Sequence, residues 1–154
     1  MDLQPGDRAP TFKAATDGAG DVSLSGLKGR PFVLYFYPKD NTSGCTKEAL
    51  EFTKLSKKFR ELGIALIGVS KDSVASHDRF KTNYKLCLTL ASDPDTKIAQ
   101  AYGVWVEKSM YGRKYMGMER ATFLVDAKGK IHQVWRKVKV PGHAEAVLAA
   151  AKSL

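Results

Sequence analysis

Residues 31–48 of this chain read Pro31-Phe32-Val33-Leu34-Tyr35-Phe36-Tyr37-Pro38-Lys39-Asp40-Asn41-Thr42-Ser43-Gly44-Cys45-Thr46-Lys47-Glu48. The apolar run at 31–37 is typical of a buried strand, and apolar residues recur at helical spacing after Cys45. We therefore predict a strand, a turn and a helix over about 44–61 that ends at Gly63. Cys45 then lies in the first helical turn, where unpaired N–H groups and the helix dipole favour a thiolate. Because the thiolate is the reactive form of cysteine, this stretch predicts a nucleophile as well as a fold.

The segments on either side of this stretch predict an α/β fold. A buried strand at 64–70 completes a βαβ unit, and a hairpin turn is expected at 17–21. The other predicted elements are a helix at 73–84, a strand at 86–90, a helix at 93–102, strands at 121–125 and 131–135, and a helix at 142–152. Residues 110–118 are predicted to form a glycine-punctuated loop. This order is that of the thioredoxin fold with inserted elements, and we expect one domain over 1–154.

The charge of the chain is strongly positive but dispersed. The formal net charge is +9, from 25 Lys and Arg against 16 Asp and Glu. The densest basic groups are Lys54, Lys57, Lys58 and Arg60, and then Arg136, Lys137 and Lys139. Both are expected on solvated faces of a helix and a strand end, so we predict no nucleic-acid partner. A non-catalytic, redox-sensing nucleic-acid binder stays open as an alternative function.

The cysteine count favours chemistry over structure. Two cysteines without an export signal argue against a disulfide framework, and neither belongs to a Cys-x-x-Cys pair. His77, His132 and His143 lack the spacing of metal ligands, so no metal site is predicted. No apolar run approaches the roughly 18 residues of a transmembrane helix, and the sequence predicts a cytoplasmic protein without a membrane partner.

The spacing Pro38-x-x-x-Thr42-x-x-Cys45 resembles the active-site motif of the peroxiredoxins, the cysteine-based peroxidases of the thioredoxin fold. The run Arg-Ala-Thr-Phe that begins at Arg120 is similar to the bacterial Q-type group, also called bacterioferritin comigratory proteins. Segments that resemble the Q-type group extend over nearly the whole chain. The resemblance implies peroxiredoxin-type insertions in a central mixed sheet flanked by helices. It also implies a thiol-dependent peroxidase for hydrogen peroxide and small organic hydroperoxides, monomeric and without a bound cofactor.

The chemistry of peroxide cleavage assigns roles around the motif. A thiolate attacks one peroxide oxygen, and fixed donors must meet the charge that develops on the leaving oxygen. Cys45 is the candidate nucleophile, the Thr42 hydroxyl can hold a peroxide oxygen, and the N–H groups of Gly44 and Cys45 can act as donors. Pro38 fixes φ and can shield the pocket from water. Thr42 is also a candidate helix cap.

Two further residues follow from the resemblance. Arg120 resembles the peroxiredoxin arginine that favours the thiolate and orients the peroxide, a role that suits the planar, permanently charged guanidinium. Glu48 resembles the acidic residue that steadies this arginine. Ser43 departs from the proline common at this position in the Q-type group.

The resolving cysteine of the Q-type group is missing from its usual positions, which Leu50 and the neighbourhood of Lys81 occupy here. Cys87 is the other cysteine, and its simplest interpretation is a small buried residue in the predicted strand. We therefore predict a one-cysteine mechanism, with a thiol of the thioredoxin, glutaredoxin or glutathione type as the reductant. An internal Cys45–Cys87 disulfide stays open as an alternative.

Overall fold

The computed structural model describes residues 2–154. Its strands are β1 Lys13–Thr16, β2 Gly20–Ser23, β3 Phe32–Phe36, β4 Ala65–Ser70, β5 Thr89–Ser92, β6 Trp105–Met110, β7 Arg113–Met118, β8 Ala121–Val125 and β9 Ile131–Trp135. Its α-helices are α1 Ser43–Glu61, α2 Val74–Tyr84, α3 Lys97–Ala101 and α4 His143–Ala151. No helix in this described range is long and apolar enough to cross a membrane.

Seven strands form a mixed sheet in the order β2-β1-β5-β4-β3-β8-β9. The central strands β3, β4 and β5 are parallel, whereas β8 runs antiparallel to β3 and β9 runs antiparallel to β8. The α/β fold class with a mixed central sheet flanked by helices is thereby confirmed.

Both faces of the sheet are covered, because alternate residues of β3 point into two different cores. Phe32, Leu34 and Phe36 pack in one core together with buried residues of α3. Val33 and Tyr35 pack in the other with α1, α2 and α4, and Cys45 belongs to this second core. A strand buried on both faces explains the continuous apolar run in the sequence.

Several element predictions are confirmed, among them α1, β4, β8, β9 and the turn between β1 and β2. Gly63 ends α1 with a φ of +74°, and the Ser73 side chain caps α2 by accepting from the Ser76 N–H. The predicted helix at 93–102 is shorter, because Asp93 and the left-handed Thr96 occupy its first turn.

Two predictions are wrong. Residues 110–118 are not a loop, because they form the end of β6, a tight turn and β7, in a two-stranded sheet of their own. The strand predicted at 86–90 begins only at Thr89, since the left-handed Lys85 ends α2 and residues 86–88 continue in irregular conformation.

Candidate active site

The C-terminal end of β3 lies beside the N-terminal end of β8, because the two strands are antiparallel neighbours in the sheet. Phe36 pairs with Ala121, so Arg120 lies beside the segment that leaves β3. This segment leads into α1, whose third residue is Cys45. The topology therefore brings together two residues that are 75 positions apart in the chain.

Cys45 is in contact with the guanidinium of Arg120. Its sulfur lies 3.3 Å from Arg120 Nη2, and only 2% of the residue is exposed. Gly44 allows this approach, because a Cβ at that position would stand 3.3 Å from the same nitrogen. A permanent positive charge and the start of a helix thus lie beside one sulfur, and both attract negative charge.

Glu48 follows one helical turn after Cys45 and holds the other side of Arg120. Its Oε1 lies 2.7 Å from Arg120 Nη1, whereas its buried Oε2 has no hydrogen-bond partner among residues 2–154. Burial raises the pKa of Glu48 to about 7, against the opposing charge of Arg120. Burial would lower the pKa of Arg120, but Glu48 and Cys45 outweigh it and raise that pKa. Arg120 therefore stays charged while Glu48 is poised to lose or gain a proton near neutral pH.

The alternative that the Thr42 side chain caps α1 is not what the structure shows. Thr42 stands at the N-cap position, but its side chain makes no capping bond. Its hydroxyl instead donates to the Lys39 carbonyl at 2.9 Å, which closes the turn before α1. Because this bond uses the hydroxyl proton, the oxygen of the exposed Thr42 can act toward a peroxide O–H as an acceptor. Pro38 is exposed at the surface next to this turn.

The turn is anchored by a buried carboxylate that the sequence analysis did not identify. Asp40 Oδ1 accepts from the Tyr37 hydroxyl at 2.6 Å, and Asp40 Oδ2 accepts from the Ser76 hydroxyl at 2.8 Å. The Asp40 N–H donates to Asp72 Oδ2 at 2.8 Å. These contacts tie the segment before Cys45 to the start of α2.

His77 completes this anchor. Its Nδ1 lies 2.7 Å from Asp40 Oδ2 and its Nε2 lies 3.0 Å from the Ala91 carbonyl, so both ring nitrogens face acceptors. Both can donate only when the imidazole is protonated. Burial would lower the pKa of His77, but the hydrogen bond and charge of Asp40 outweigh it and raise that pKa. Because the partners are 37 positions apart, no local motif could have revealed the pair.

A second buried histidine lies behind Arg120. His143 Nε2 is 2.7 Å from the hydroxyl of Thr122, two residues after Arg120. Burial, and then the charge of Arg120, lower the pKa of His143 to about 4. His143 is therefore neutral at physiological pH and adds no second positive charge near Arg120.

Cys87 is an exposed free thiol, and this exposure corrects the expectation of a buried core residue. Leu86 and Leu88 point inward, so Cys87 between them points out. Its N–H donates to Thr53 Oγ1 at 3.1 Å, and Thr53 is eight residues after Cys45 on α1. At 1.5 Å per residue, this separation corresponds to about 12 Å along the helix axis. A disulfide needs Cα atoms within about 7 Å, so the start of α1 would have to unwind before Cys45 reached Cys87.

No group of three or more His, Cys, Asp or Glu side chains that could hold a metal ion occurs within residues 2–154. The reactive groups are instead a sulfur, a guanidinium and backbone N–H groups gathered at a helix start. This combination can stabilise a thiolate and the charge that leaves when it attacks an electrophilic oxygen. On a sheet of this topology, it defines a cysteine-dependent peroxidase.

Comparisons with known proteins agree with this class. The family described as AhpC/TSA matches residues 5–134. A putative peroxiredoxin Bcp of Coxiella burnetii is 47% identical over 148 residues, which cover 96% of this chain and 98% of the relative. Peroxiredoxin Bcp of Bacillus subtilis is 43% identical over 154 residues, covering 100% and 98% of the two chains. The chain therefore belongs to the AhpC/TSA family, in its Bcp-type peroxiredoxin branch, and is a thiol-dependent peroxidase.

Solved structures give the same result. Peroxiredoxin Q of Xanthomonas campestris superposes with a TM-score of 0.90 at 42% identity, covering 99% of this chain and 96% of that one. A mutant of PrxQ from Xylella fastidiosa superposes with a TM-score of 0.93 at 39% identity, covering 99% and 98%. The thioredoxin fold with peroxiredoxin-type insertions is confirmed.

Proposed function

We propose that Cys45 is the nucleophile of a one-cysteine peroxidase that reduces hydrogen peroxide and small organic hydroperoxides. The observation that carries this proposal is the 3.3 Å contact between the Cys45 sulfur and Arg120 Nη2 at the start of α1. The related Xanthomonas campestris protein is described by its alkyl peroxide reduction activity, which supports the organic substrates.

The first half of the reaction uses the groups around Cys45. The thiolate attacks one peroxide oxygen, the sulfur–oxygen bond forms and the oxygen–oxygen bond breaks. The departing oxygen leaves as hydroxide or alkoxide and takes a proton to become water or an alcohol. Arg120 and the unpaired N–H groups of Gly44 and Cys45 stabilise the developing charge, while Thr42 accepts from the peroxide O–H.

The second half requires an external thiol. The sulfenic acid on Cys45 reacts with one thiol to give a mixed disulfide and water. A second thiol then attacks the mixed disulfide, which returns Cys45 as a thiol and releases the oxidised reductant. The reductant is of the thioredoxin, glutaredoxin or glutathione type. The exposed position of Cys87, about two helical turns from Cys45, supports this route over an internal disulfide.

The same proposal extends to the whole protein. It acts as a single-domain monomer in the cytoplasm, without a bound cofactor, metal ion, nucleic acid or membrane. Lys54, Lys57, Lys58 and Arg60 are exposed along α1, as expected for a solvated helix face. Family membership speaks against a non-catalytic redox sensor.

A paired substitution tests the proposal. Cys45→Ser is expected to abolish peroxide consumption supported by dithiothreitol, whereas Cys87→Ser, the matched control, is expected to keep the rate of the unmodified protein. The one-cysteine assignment is wrong if Cys87→Ser stops turnover, and the nucleophile assignment is wrong if Cys45→Ser retains it.

A further inference from the structure

The β6–β7 hairpin exposes an unusual amount of apolar surface. Met110, Tyr111 and Tyr115 are exposed by 57, 98 and 44%. At the base of the hairpin Met118 is buried and the Glu119 N–H donates to the Val104 carbonyl at 2.7 Å. An apolar cluster of this kind on a projecting element is typical of an interaction surface.

The residue at the tip is not explained by the fold. Tyr111 and Gly112 form a two-residue turn with φ values of +52° and +77°. Turns of this kind favour Asn followed by Gly, and a bulky residue with positive φ is an outlier. Tyr111 is therefore unfavourable in conformation as well as in exposure, and such strain is a reason to seek a function.

One face of the hairpin is both apolar and basic. Residues opposite each other on paired strands share a face, and the pairs Lys108–Tyr115 and Met110–Arg113 lie on the same one. This surface, which we call the hairpin face, consists of Val106, Lys108, Met110, Arg113, Tyr115 and Gly117. It contains two cations and no carboxylate, since Glu107 lies on the opposite face.

The hairpin face leads to the active site through Lys108. Gly117 leaves room for the Lys108 side chain to cross the partner strand, because a Cβ there would stand 3.1 Å from Lys108 Cδ. The Lys108 ammonium donates to the Met118 carbonyl at 2.5 Å. Burial, and then the charge of Arg120, lower the pKa of Lys108, while Cys45 acts in the opposite direction. The hairpin adjoins the active site, since β7 ends at Met118, two residues before the Arg120 that contacts the Cys45 sulfur.

We propose that the hairpin face, with Tyr111 at its tip, docks a protein dithiol reductant whose active thiol is surrounded by apolar and acidic side chains. This inference rests on the proposed function, in which a peroxide and a thiol are the molecules that must reach Cys45. A six-residue strand is about 20 Å long, so a tripeptide thiol would cover only the base of the face. The exposed Arg113 on this face and the net charge of +9 fit an acidic protein partner.

Tyr111→Asn separates docking from folding. Asparagine suits the left-handed position and removes the exposed aromatic ring, so the variant is expected to fold at least as well as the unmodified protein. With reduced bacterial thioredoxin as the donor, kcat/KM for the donor is expected to fall about tenfold. The dithiothreitol-supported rate and the rate of Cys45 oxidation by peroxide are expected to stay unchanged. Arg113→Glu is likewise expected to lower kcat/KM for thioredoxin and to leave the other two rates unchanged.

Leu62→Ser is the matched control, since Leu62 is 42% exposed at the far end of α1. It is expected to leave all three rates unchanged. The docking proposal is overturned if Tyr111→Asn and Arg113→Glu match the unmodified protein with thioredoxin. It is also overturned if they abolish self-association in sedimentation experiments without changing donor kinetics, since the face would then bind a second copy. Failure of the proposed function would look different, because the unmodified protein would consume no peroxide even with dithiothreitol.

Discussion

At the scale of single residues, three side chains from two distant segments create the reactive centre. Cys45 and Glu48 are one helical turn apart, whereas Arg120 directly precedes β8. The helix start and the nucleophile could be predicted, because a buried strand, a turn and helical periodicity lie next to each other in sequence. The family resemblance pointed to Arg120 and Glu48, but not to the unpartnered Oε2 of Glu48, which depends on three-dimensional burial.

Arg120→Lys is expected to slow oxidation of Cys45 by hydrogen peroxide about 100-fold or more. One ammonium cannot reach both the Cys45 sulfur and Glu48 in the way that two guanidinium nitrogens do at 3.3 and 2.7 Å. Stopped-flow measurement of the second-order rate constant checks this. A rate constant within twofold of that of the unmodified protein would show that a single positive charge is sufficient for fast oxidation of Cys45.

Glu48→Gln is expected to remove an inflection near pH 7 from the rate of Cys45 oxidation. As pH rises through the Glu48 pKa of about 7, the carboxyl gains a negative charge and offsets Arg120, which weakens support for the thiolate. Glutamine keeps the neutral form at every pH, so the rate of the variant should lack that decrease. Rate constants from pH 5 to pH 9 test this, and an unchanged profile would contradict the assignment.

At the scale of elements, the predicted strands and helices near the core are largely confirmed because each has a regular apolar pattern. The hairpin of β6 and β7 was missed because most of its side chains are exposed, which removes the alternation that indicates a strand. Cys87 was misplaced for a related reason, since flanking leucines suggested a buried strand where the chain is irregular. The Asp40–His77 pair joins a turn to α2 across the sheet edge and has no local pattern.

His77→Gln is expected to lower the free energy of unfolding by about 3 kcal/mol at pH 6, because it leaves a buried carboxylate without its charged partner. The pKa of His77 is raised from 6.5, so its contribution is full below that pH and is lost as pH rises through the raised value. The pKa of Asp40 is lowered from 3.8, so its contribution is lost only as pH falls through the lowered value.

Urea unfolding at pH 6 and pH 9 measures this difference. The unmodified protein should lose stability between the two pH values, and His77→Gln should lose less. Ser76→Ala is a suitable control, because it removes one neutral hydrogen bond to Asp40 and leaves the ion pair in place. Equal pH dependence in the unmodified protein and His77→Gln would show that the pair does not titrate in this range.

At the scale of the whole molecule, the net charge of +9 is expected to govern how protein donors reach the site. Attraction between a basic surface and an acidic donor is screened by salt, with a Debye length of about 10 Å at 0.1 M ionic strength. Raising the ionic strength should therefore lower kcat/KM for reduced thioredoxin, while the dithiothreitol-supported rate stays constant. Steady-state kinetics across a salt series would contradict this if both reductants responded equally.

The central claim is that Cys45 itself takes an oxygen atom from the peroxide and that an external thiol then reduces the resulting sulfenic acid. Mass spectrometry of the protein after one equivalent of hydrogen peroxide tests it most directly. The account requires one added oxygen, located on the peptide that contains Cys45 and removed by a small thiol. Loss of two hydrogens with Cys45 and Cys87 joined in one disulfide-linked pair of peptides, or an oxygen found elsewhere in the chain, would contradict it.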